Sequence, residues 1–160
     1  MKYIDLLNDA KIKLKNSAIN TAEIDSELLL SKSLNLNRED ILLNLNSIAS
    51  QNQIKIFFNK INKRLNKEPI AYILGKKDFW KTNFTITKNV LIPRPETEII
   101  VEQALKLIPK FSQKNILDIG TGSGCIIISI LLERKKCIGT ALDISKEAIK
   151  LAKYLSLIHI

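Results

Sequence analysis

The stretch that decides the fold is ILDIGTGSGC, residues 116 to 125, in which an apolar segment runs directly into a loop of alternating glycines. The apolar runs at 115–119 and 137–143 predict two buried strands. Residues 125–133 and 146–154 have the spacing of two helices. The order strand, glycine loop, helix, strand, helix is that of a βαβ unit with parallel strands and a right-handed crossover. The sequence therefore predicts the start of an α/β domain.

The spacing of the glycine loop restricts what it can bind. A P-loop needs a lysine directly after its last glycine, and no lysine follows Gly124. The dinucleotide fingerprint G-x-G-x-x-G would need its third glycine at 125, where the chain has Cys125. The loop instead reads G-x-G-x-G through Gly120, Gly122 and Gly124. It fits neither a nucleoside triphosphate nor the full dinucleotide pattern.

Two acidic residues narrow the choice of ligand. Asp118 lies two residues before the first glycine, and Asp143 ends the second predicted strand. A carboxylate at Asp118 would repel a pyrophosphate, whereas it can accept hydrogen bonds from an ammonium group. Asp143 can accept hydrogen bonds from both hydroxyls of a ribose. S-adenosylmethionine has an ammonium, a sulfonium and a ribose but no phosphate, so the pattern indicates a methyltransferase that uses this cofactor.

Helical spacing fills the first 70 residues. The apolar positions from Tyr3 to Leu14 predict a first helix. Asn20 and Glu23 have the pattern of a capping box that opens a second helix. The apolar side of this second helix is predicted to include Ile24, Leu28 and Leu34.

The remaining helices of this half are predicted by their caps. Asn37 is expected to cap a short third helix, and Ser50 with Gln53 predicts a capping box for a fourth. Pro69 is expected to close the helical run. The half contains no cluster typical of a catalytic site, which indicates a small helical bundle that binds a partner by shape.

A hairpin and a further helix are predicted between the two halves. DFW at 78–80 and FTIT at 84–87 alternate around a polar turn at 81–83. The prolines of LIPRPETE, residues 91–98, predict extended backbone, and a helix is expected to begin near Thr97. The residues that this helix is predicted to bury are Ile100, Val101, Ala104, Leu105 and Ile108.

Composition excludes several classes of protein. No window has 18 consecutive apolar residues and the N-terminus lacks an apolar signal segment, so we expect no membrane span and a cytoplasmic protein. His159 is the only histidine, which excludes a histidine-based metal site or triad, and Cys125 and Cys137 are predicted to be buried and reduced. A net charge of +9 suggests an acidic partner such as RNA. Because the lysines are scattered along the chain, direct binding of nucleic acid is not expected.

Four segments together resemble one family. EPIAYILGKKDFW (68–80), LIPRPETE (91–98), ILDIGTGSGCI (116–126) and LDISKEAI (142–149) have the order and spacing of the HemK/PrmC family. Its members are the protein-(glutamine-N5) methyltransferases of peptide chain release factors. The resemblance implies an α/β protein in three parts, which are a helical substrate-recognition domain at 1–73, a β-hairpin linker at 74–92 and a partial Rossmann-like methyltransferase domain at 93–160.

The resemblance also assigns roles to residues of the predicted cofactor site. Binding of S-adenosyl-L-methionine is implied for residues of the loop and for the acid after the second strand, namely Gly120, Thr121, Gly122, Ser123, Gly124 and Asp143. Arg94 lies in the RPETE segment, which is beside the cofactor in the family. A direct contact from Arg94 and a domain-linking role of the segment both stay open.

The family's substrate motif, Asn-Pro-Pro-Tyr, does not occur in this sequence. We therefore predict no catalytic residue here, and we expect an N-terminal fragment that is inactive alone, with residues 155–160 as a truncated or foreign tail. Two alternatives stay open. One is an adenine N6-methyltransferase of nucleic acid, which shares a similar catalytic motif. The other is a non-catalytic helical module that binds RNA or a ribosomal partner.

Overall fold

The computed structural model describes all 160 residues and divides into two compact units, Met1–Leu74 and Gly75–Ile160. The architecture is mixed α/β, with an all-helical first unit and two small sheets in the second, so the predicted fold class is confirmed. The division of the chain at 73 and 92 into three parts stays a prediction. None of the helices has the length and apolar character that a membrane span requires.

The first unit is a bundle of five helices that share one core. The helices are α1 (Tyr3–Asn16), α2 (Ala22–Leu34), α3 (Arg38–Leu43), α4 (Gln51–Leu65) and α5 (Ile70–Leu74). Every apolar position predicted for the first helix faces this core. An antiparallel bridge between Lys2 and Ile48 ties the start of the chain to the segment before α4. The bundle is thus a self-contained hydrophobic unit.

The capping box predicted for α4 is confirmed. The Oγ of Ser50 accepts a hydrogen bond from the Gln53 backbone N–H at 3.3 Å, and the Gln53 side chain accepts one from the Ser50 N–H at 2.8 Å. Asn37 is the N-cap residue of α3, as predicted, but its side chain makes no capping hydrogen bond. The Ser50 side chain therefore satisfies a free backbone N–H group at the start of α4, whereas the Asn37 side chain satisfies none at the start of α3.

The prediction for the second helix is wrong in its cap and in placing Ile24 on the buried face, whereas Leu34 is buried as predicted and Leu28 is half-buried. Thr21, not Asn20, is the N-cap residue of α2, without a side-chain capping bond, and Ile24 is exposed. The helix is instead turned so that Asp25 is buried. Its Oδ2 accepts hydrogen bonds from the Arg64 Nε at 2.6 Å and from the Thr21 Oγ1 at 2.9 Å. Apolar spacing alone marks this face poorly, because it mixes leucines with small and polar residues, namely Ala22, Asp25, Ser26, Leu29, Leu30, Ser33 and Leu34.

Pro69 does not close the helical run. Its carbonyl accepts hydrogen bonds from the N–H groups of Tyr72 and Ile73, and α5 begins at Ile70. Proline is well tolerated at a helix start, because it has no N–H group to leave unpaired there. The prediction was wrong because it took the residue for a stop signal only.

The second unit joins an antiparallel hairpin to a parallel βαβ unit. Its elements are β1 (Lys76–Phe79), β2 (Thr82–Thr85), a short 3-10 turn (Pro95–Thr97), α6 (Glu98–Leu107), β3 (Asn115–Ile119), α7 (Cys125–Glu133), β4 (Ile138–Leu142) and α8 (Lys146–His159). Strands β3 and β4 are parallel, as predicted, and their register runs from Asn115 opposite Ile138 to Ile119 opposite Leu142. The predicted hairpin is also present, but its turn is formed by Trp80 and Lys81 rather than by residues 81–83.

The βαβ unit leaves apolar side chains in water. Leu117, Ile119 and Ile138 are 57%, 76% and 68% exposed, although parallel strands are usually covered on both faces. Helix α7 is the most apolar element and packs on both strands. Gly139 permits this contact, because a Cβ there would lie 2.8 Å from the Cδ1 of Ile127. One face of the sheet is therefore well packed, and much of the rest is open.

Two helices of this unit differ from their predictions. In α6 only Val101 is fully buried, and Ile100 is exposed, because α7 covers a narrow stripe of the helix. The C-terminal end of α6 is capped by Arg134, whose guanidinium donates to the carbonyls of Leu105 and Ile108, each at 2.6 Å. Helix α8 continues past residue 154 to His159. The fully buried side chain of Leu155 anchors this extension.

Candidate cofactor site

The glycine loop is fixed between the ends of the two parallel strands. The N–H groups of Gly120 and Thr121 both donate to the Leu142 carbonyl, at 2.8 and 2.9 Å. The Gly124 N–H donates to the Thr121 carbonyl at 2.8 Å, which closes the loop immediately before α7. These bonds hold the loop at the carboxyl end of β3 and β4, where open α/β sheets bind their ligands.

Asp118 is held by the loop that follows it. Its Oδ2 accepts a hydrogen bond from the Oγ1 of Thr121 at 2.7 Å. Thr121 is buried, whereas Asp118 is half-buried at the strand end, and its Oδ1 has no hydrogen-bond partner in the structure. The carboxylate thus has a fixed orientation and spare capacity to accept hydrogen bonds.

Asp143 is joined to the loop by backbone hydrogen bonds, which sequence reasoning did not predict. Its Oδ2 accepts from the Gly122 N–H at 2.8 Å, and its Oδ1 accepts from the Ser145 N–H at 2.9 Å. These bonds, first that of Ser145 and then that of Gly122, hold the pKa of the Asp143 carboxyl below its ordinary value. Each oxygen keeps a lone pair that can accept a further hydrogen bond. Asp143 therefore fixes the loop and is ionised at neutral pH.

The loop forms one wall of a cleft, and the segment before α6 forms the other. The cleft has a volume of about 150 Å³. Its lining includes Leu91, Ile92, Pro93, Arg94 and Thr97 on one side and Gly120, Thr121, Gly122, Ser123, Cys125 and Ile126 on the other. Pockets that enclose a whole drug-sized ligand have about 300 Å³ or more. The cleft can therefore hold part of a ligand of that size.

The space above the loop is open. A Cβ placed on Gly120 or Gly122 would meet no atom within 4 Å. Both residues have positive φ values, of 78° and 55°. The glycines therefore meet a backbone requirement, and the empty space beside them is available to a ligand.

Of the seven predicted cofactor residues, four line the cleft, and the acids Asp118 and Asp143 lie beside the glycine loop outside the lining of the cleft. Gly120, Thr121, Gly122 and Ser123 line the cleft, whereas Gly124 lies behind them against α8. Arg94 lies in the opposite wall and is exposed. The apolar wall residues Leu91, Ile92 and Pro93 were not predicted as site residues. Their signal in the sequence was the position of LIPRP directly before a helix.

Neither cysteine has the surroundings of a nucleophile. Burial raises the pKa of the Cys125 thiol, which lies at the start of α7. Cys137 was predicted to be buried but is half-buried, because it lies in the turn between α7 and β4. Its Sγ donates to the Ser112 carbonyl at 3.4 Å. Both residues are free thiols.

These features define a class of protein. A glycine loop between parallel strands, with an acid at the end of each strand, is the arrangement of α/β proteins that bind a ligand at the carboxyl edge of the sheet. Residues 5–75 match the family model described as the PrmC N-terminal domain. The helical first unit therefore matches the N-terminal domain of the PrmC family.

Comparison with curated proteins points to the same family. A release factor glutamine methyltransferase from Caulobacter vibrioides is 38% identical over 144 residues, which cover 90% of this chain and 50% of that protein. One from Coxiella burnetii is 43% identical over 133 residues, covering 83% of this chain and 48% of that protein. A bifunctional methyltransferase from Rickettsia typhi is 37% identical and covers 96% of this chain and 33% of its own length. The chain spans about half the length of the release factor glutamine methyltransferases that it matches.

Proposed function

We propose that this chain is part of an S-adenosylmethionine-dependent methyltransferase that modifies the glutamine side-chain amide nitrogen of peptide chain release factors. The relatives named release factor glutamine methyltransferases support methyl transfer to a release factor. One structural observation carries the cofactor assignment. The two strand-end acids, Asp118 and Asp143, flank a glycine loop that is open to a cleft.

The glycine loop and the two acids bonded to it fit a cofactor that carries an ammonium and a ribose. The free Oδ1 of Asp118 can accept from the ammonium, and Asp143 can accept from the ribose hydroxyls. The glycine loop and its flanks, residues 118–126, contain no lysine or arginine, and the one cationic residue of the cleft is Arg94. Arg94, at the opposite wall, is proposed to contact the cofactor from its exposed position.

The chain's own residues position and shield the site. Thr121 orients the Asp118 carboxylate, and the Gly122 N–H fixes Asp143. The apolar residues Ile92 and Pro93 exclude water from one side of the cleft. Bound S-adenosylmethionine would supply a methyl group activated by its sulfonium.

The acceptor amide needs help from residues that this sequence does not contain. An amide nitrogen is a poor nucleophile because its lone pair is delocalised, so positioning and electrostatics must supply the rate. By family resemblance this role belongs to the Asn-Pro-Pro-Tyr motif. We propose that the part described here binds the cofactor with its second unit and the release factor with its first.

Titration calorimetry tests the cofactor assignment. S-adenosylmethionine should bind the chain saturably, and NAD should not. Asp143→Ala should weaken binding of S-adenosylmethionine by about 10- to 100-fold, because a charged hydrogen-bond acceptor is lost. Glu147→Ala removes an exposed charge from the nearby start of α8 and serves as the control. Saturable NAD binding, or unchanged affinity in Asp143→Ala, would contradict the proposal.

A second candidate function is binding of RNA without catalysis. Phe111 is 73% exposed, and the Nζ atoms of Lys110 and Lys136 each lie 6.0 Å from its ring centroid. An exposed ring between cations can stack with an unpaired base. Fluorescence anisotropy with a labelled single-stranded RNA at physiological salt would support this candidate if binding persists and Phe111→Ala removes it. The same titration also tests the alternative of an adenine N6-methyltransferase, because an enzyme of that class binds nucleic acid as its substrate.

A further inference from the structure

The hairpin turn contains a residue in a conformation that its type rarely adopts. Phe79 pairs with Thr82, so Trp80 and Lys81 form a two-residue loop. Trp80 has a φ of 54°, and Lys81 does not have a positive φ. Turns with a positive φ at the first central position alone strongly favour glycine there. A bulky side chain in this conformation persists only when its surroundings hold it in place.

Two helices hold this turn through their carboxylates. The Oε1 of Glu98, in the first turn of α6, accepts a hydrogen bond from the Trp80 backbone N–H at 2.8 Å. The Oε1 of Glu133, at the end of α7, accepts from the Trp80 indole N–H at 3.2 Å and from the Lys81 Nζ at 2.6 Å. Both residues of the turn are therefore bound, and the turn joins the start of α6 to the end of α7.

One of these contacts lies at the end of the cleft wall. The wall residues 91–97 lead directly into Glu98, and Thr97 lines the cleft opposite the glycine loop. The Thr97 N–H donates to the Arg94 carbonyl at 3.0 Å, the main backbone hydrogen bond within this segment. Leu91 and Arg94 are exposed, whereas Pro93 is buried and fixes the middle of the wall. Its anchor at the α6 end is the bond between Glu98 and Trp80.

We infer that the Trp80 turn is a brace that sets the position of the 91–97 wall, and that Glu98 is a positioning residue for the ligand of the cleft. The inference rests on the proposed function for the identity of that ligand, but the brace itself does not depend on it. Glu98 does not touch the cleft. It acts by holding Trp80 and by fixing the direction in which the chain enters α6.

Three variants separate this role from alternatives. Glu98→Ala removes the acceptor, whereas Glu98→Gln keeps an amide oxygen that can accept from the Trp80 N–H. Glu102→Ala is the matched control. It removes a carboxylate one turn further along α6 that pairs only with Lys106, at 2.8 Å. Loss of helix charge alone would affect Glu98→Gln and Glu98→Ala equally.

The first measurement needs no ligand. In hydrogen exchange on the 160-residue chain, the Thr97 amide should exchange about 10-fold faster in Glu98→Ala than in the unchanged protein or in Glu102→Ala. Glu98→Gln should restore most of the protection. Equal exchange of Thr97 in Glu98→Ala and Glu102→Ala would overturn the brace.

The second measurement addresses positioning. Under conditions where each variant is folded by its far-ultraviolet circular dichroism, Glu98→Ala should bind S-adenosylhomocysteine about 10-fold more weakly, and Glu98→Gln should rescue the affinity. Trp80 is the only tryptophan in the chain, so its emission reports this turn alone. A purely structural role would lower stability and leave the affinity unchanged, which would overturn the positioning role. If the unchanged chain binds no S-adenosylhomocysteine, the proposed function fails, and Thr97 exchange still decides on the brace.

Discussion

Gly124 is the residue at which the backbone of the loop and the packing of α8 meet. Its φ is 79°, and a Cβ there would lie 3.0 Å from the Ile128 Cδ1 and 3.1 Å from the Ala152 Cβ. Gly122 also has a positive φ but has open space around it. Both glycines therefore have a left-handed backbone, but only Gly124 is packed closely against Ile128 and α8.

Replacing each glycine with alanine separates the cost of the left-handed backbone from the cost of close contact with α8. Gly122→Ala should destabilise the second unit by about 1–2 kcal/mol, the cost of a left-handed backbone. Gly124→Ala should add about 1–3 kcal/mol, because Ile128 and α8 must move aside. Urea unfolding followed by Trp80 fluorescence measures both values. Equal losses in the two variants would show that contact with α8 is unimportant.

The site residues that could be predicted from the sequence are those whose position depends only on where a strand ends. The positions of Asp118 and Asp143 follow from the ends of two apolar runs. The bonds from Asp143 to Gly122 and Ser145 could not be predicted, because they depend on how the loop folds back onto β4. The same holds for Glu98, whose partner Trp80 lies 18 residues earlier in the chain.

Among the elements, those with a strong local signal formed as predicted. The strands β3 and β4, the helix α7 and the capping box of α4 have boundaries that their own residues set. Errors arose where a distant contact decides. The buried face of α2 includes Asp25, whose ion-pair partner Arg64 lies 39 residues further along the chain.

The two caps of the first unit give a prediction about its helices. Ser50→Ala should destabilise the bundle by about 1 kcal/mol, because it removes the acceptor of the Gln53 N–H. Asn37→Ala should cost less, because the Asn37 side chain makes no capping hydrogen bond. Urea unfolding followed by circular dichroism measures both. A larger loss in Asn37→Ala would contradict the assigned role of the Ser50 hydroxyl.

For the whole molecule, the two units should differ in stability. The helical unit buries a continuous core, whereas β3 and β4 each have one unpaired edge and several exposed apolar side chains. Hydrogen exchange should therefore be slow in α1, α2 and α4 and faster in the two parallel strands. The 160-residue chain should also show no methyl transfer to a release factor. Strong protection of β3 and β4, or any transfer, would contradict this.

The separation of the strands along the chain also sets an order of events during synthesis. All residues of the helical unit precede Gly75, whereas β4 ends at Leu142, 68 residues after Leu74. At about 5–20 residues per second, the ribosome needs about 3–14 s to make that segment. The helical unit can fold during this interval, while β3 emerges without its partner strand. A nascent chain in which β3 has left the ribosome while β4 is still inside it would present a single apolar strand to chaperones after the bundle has folded.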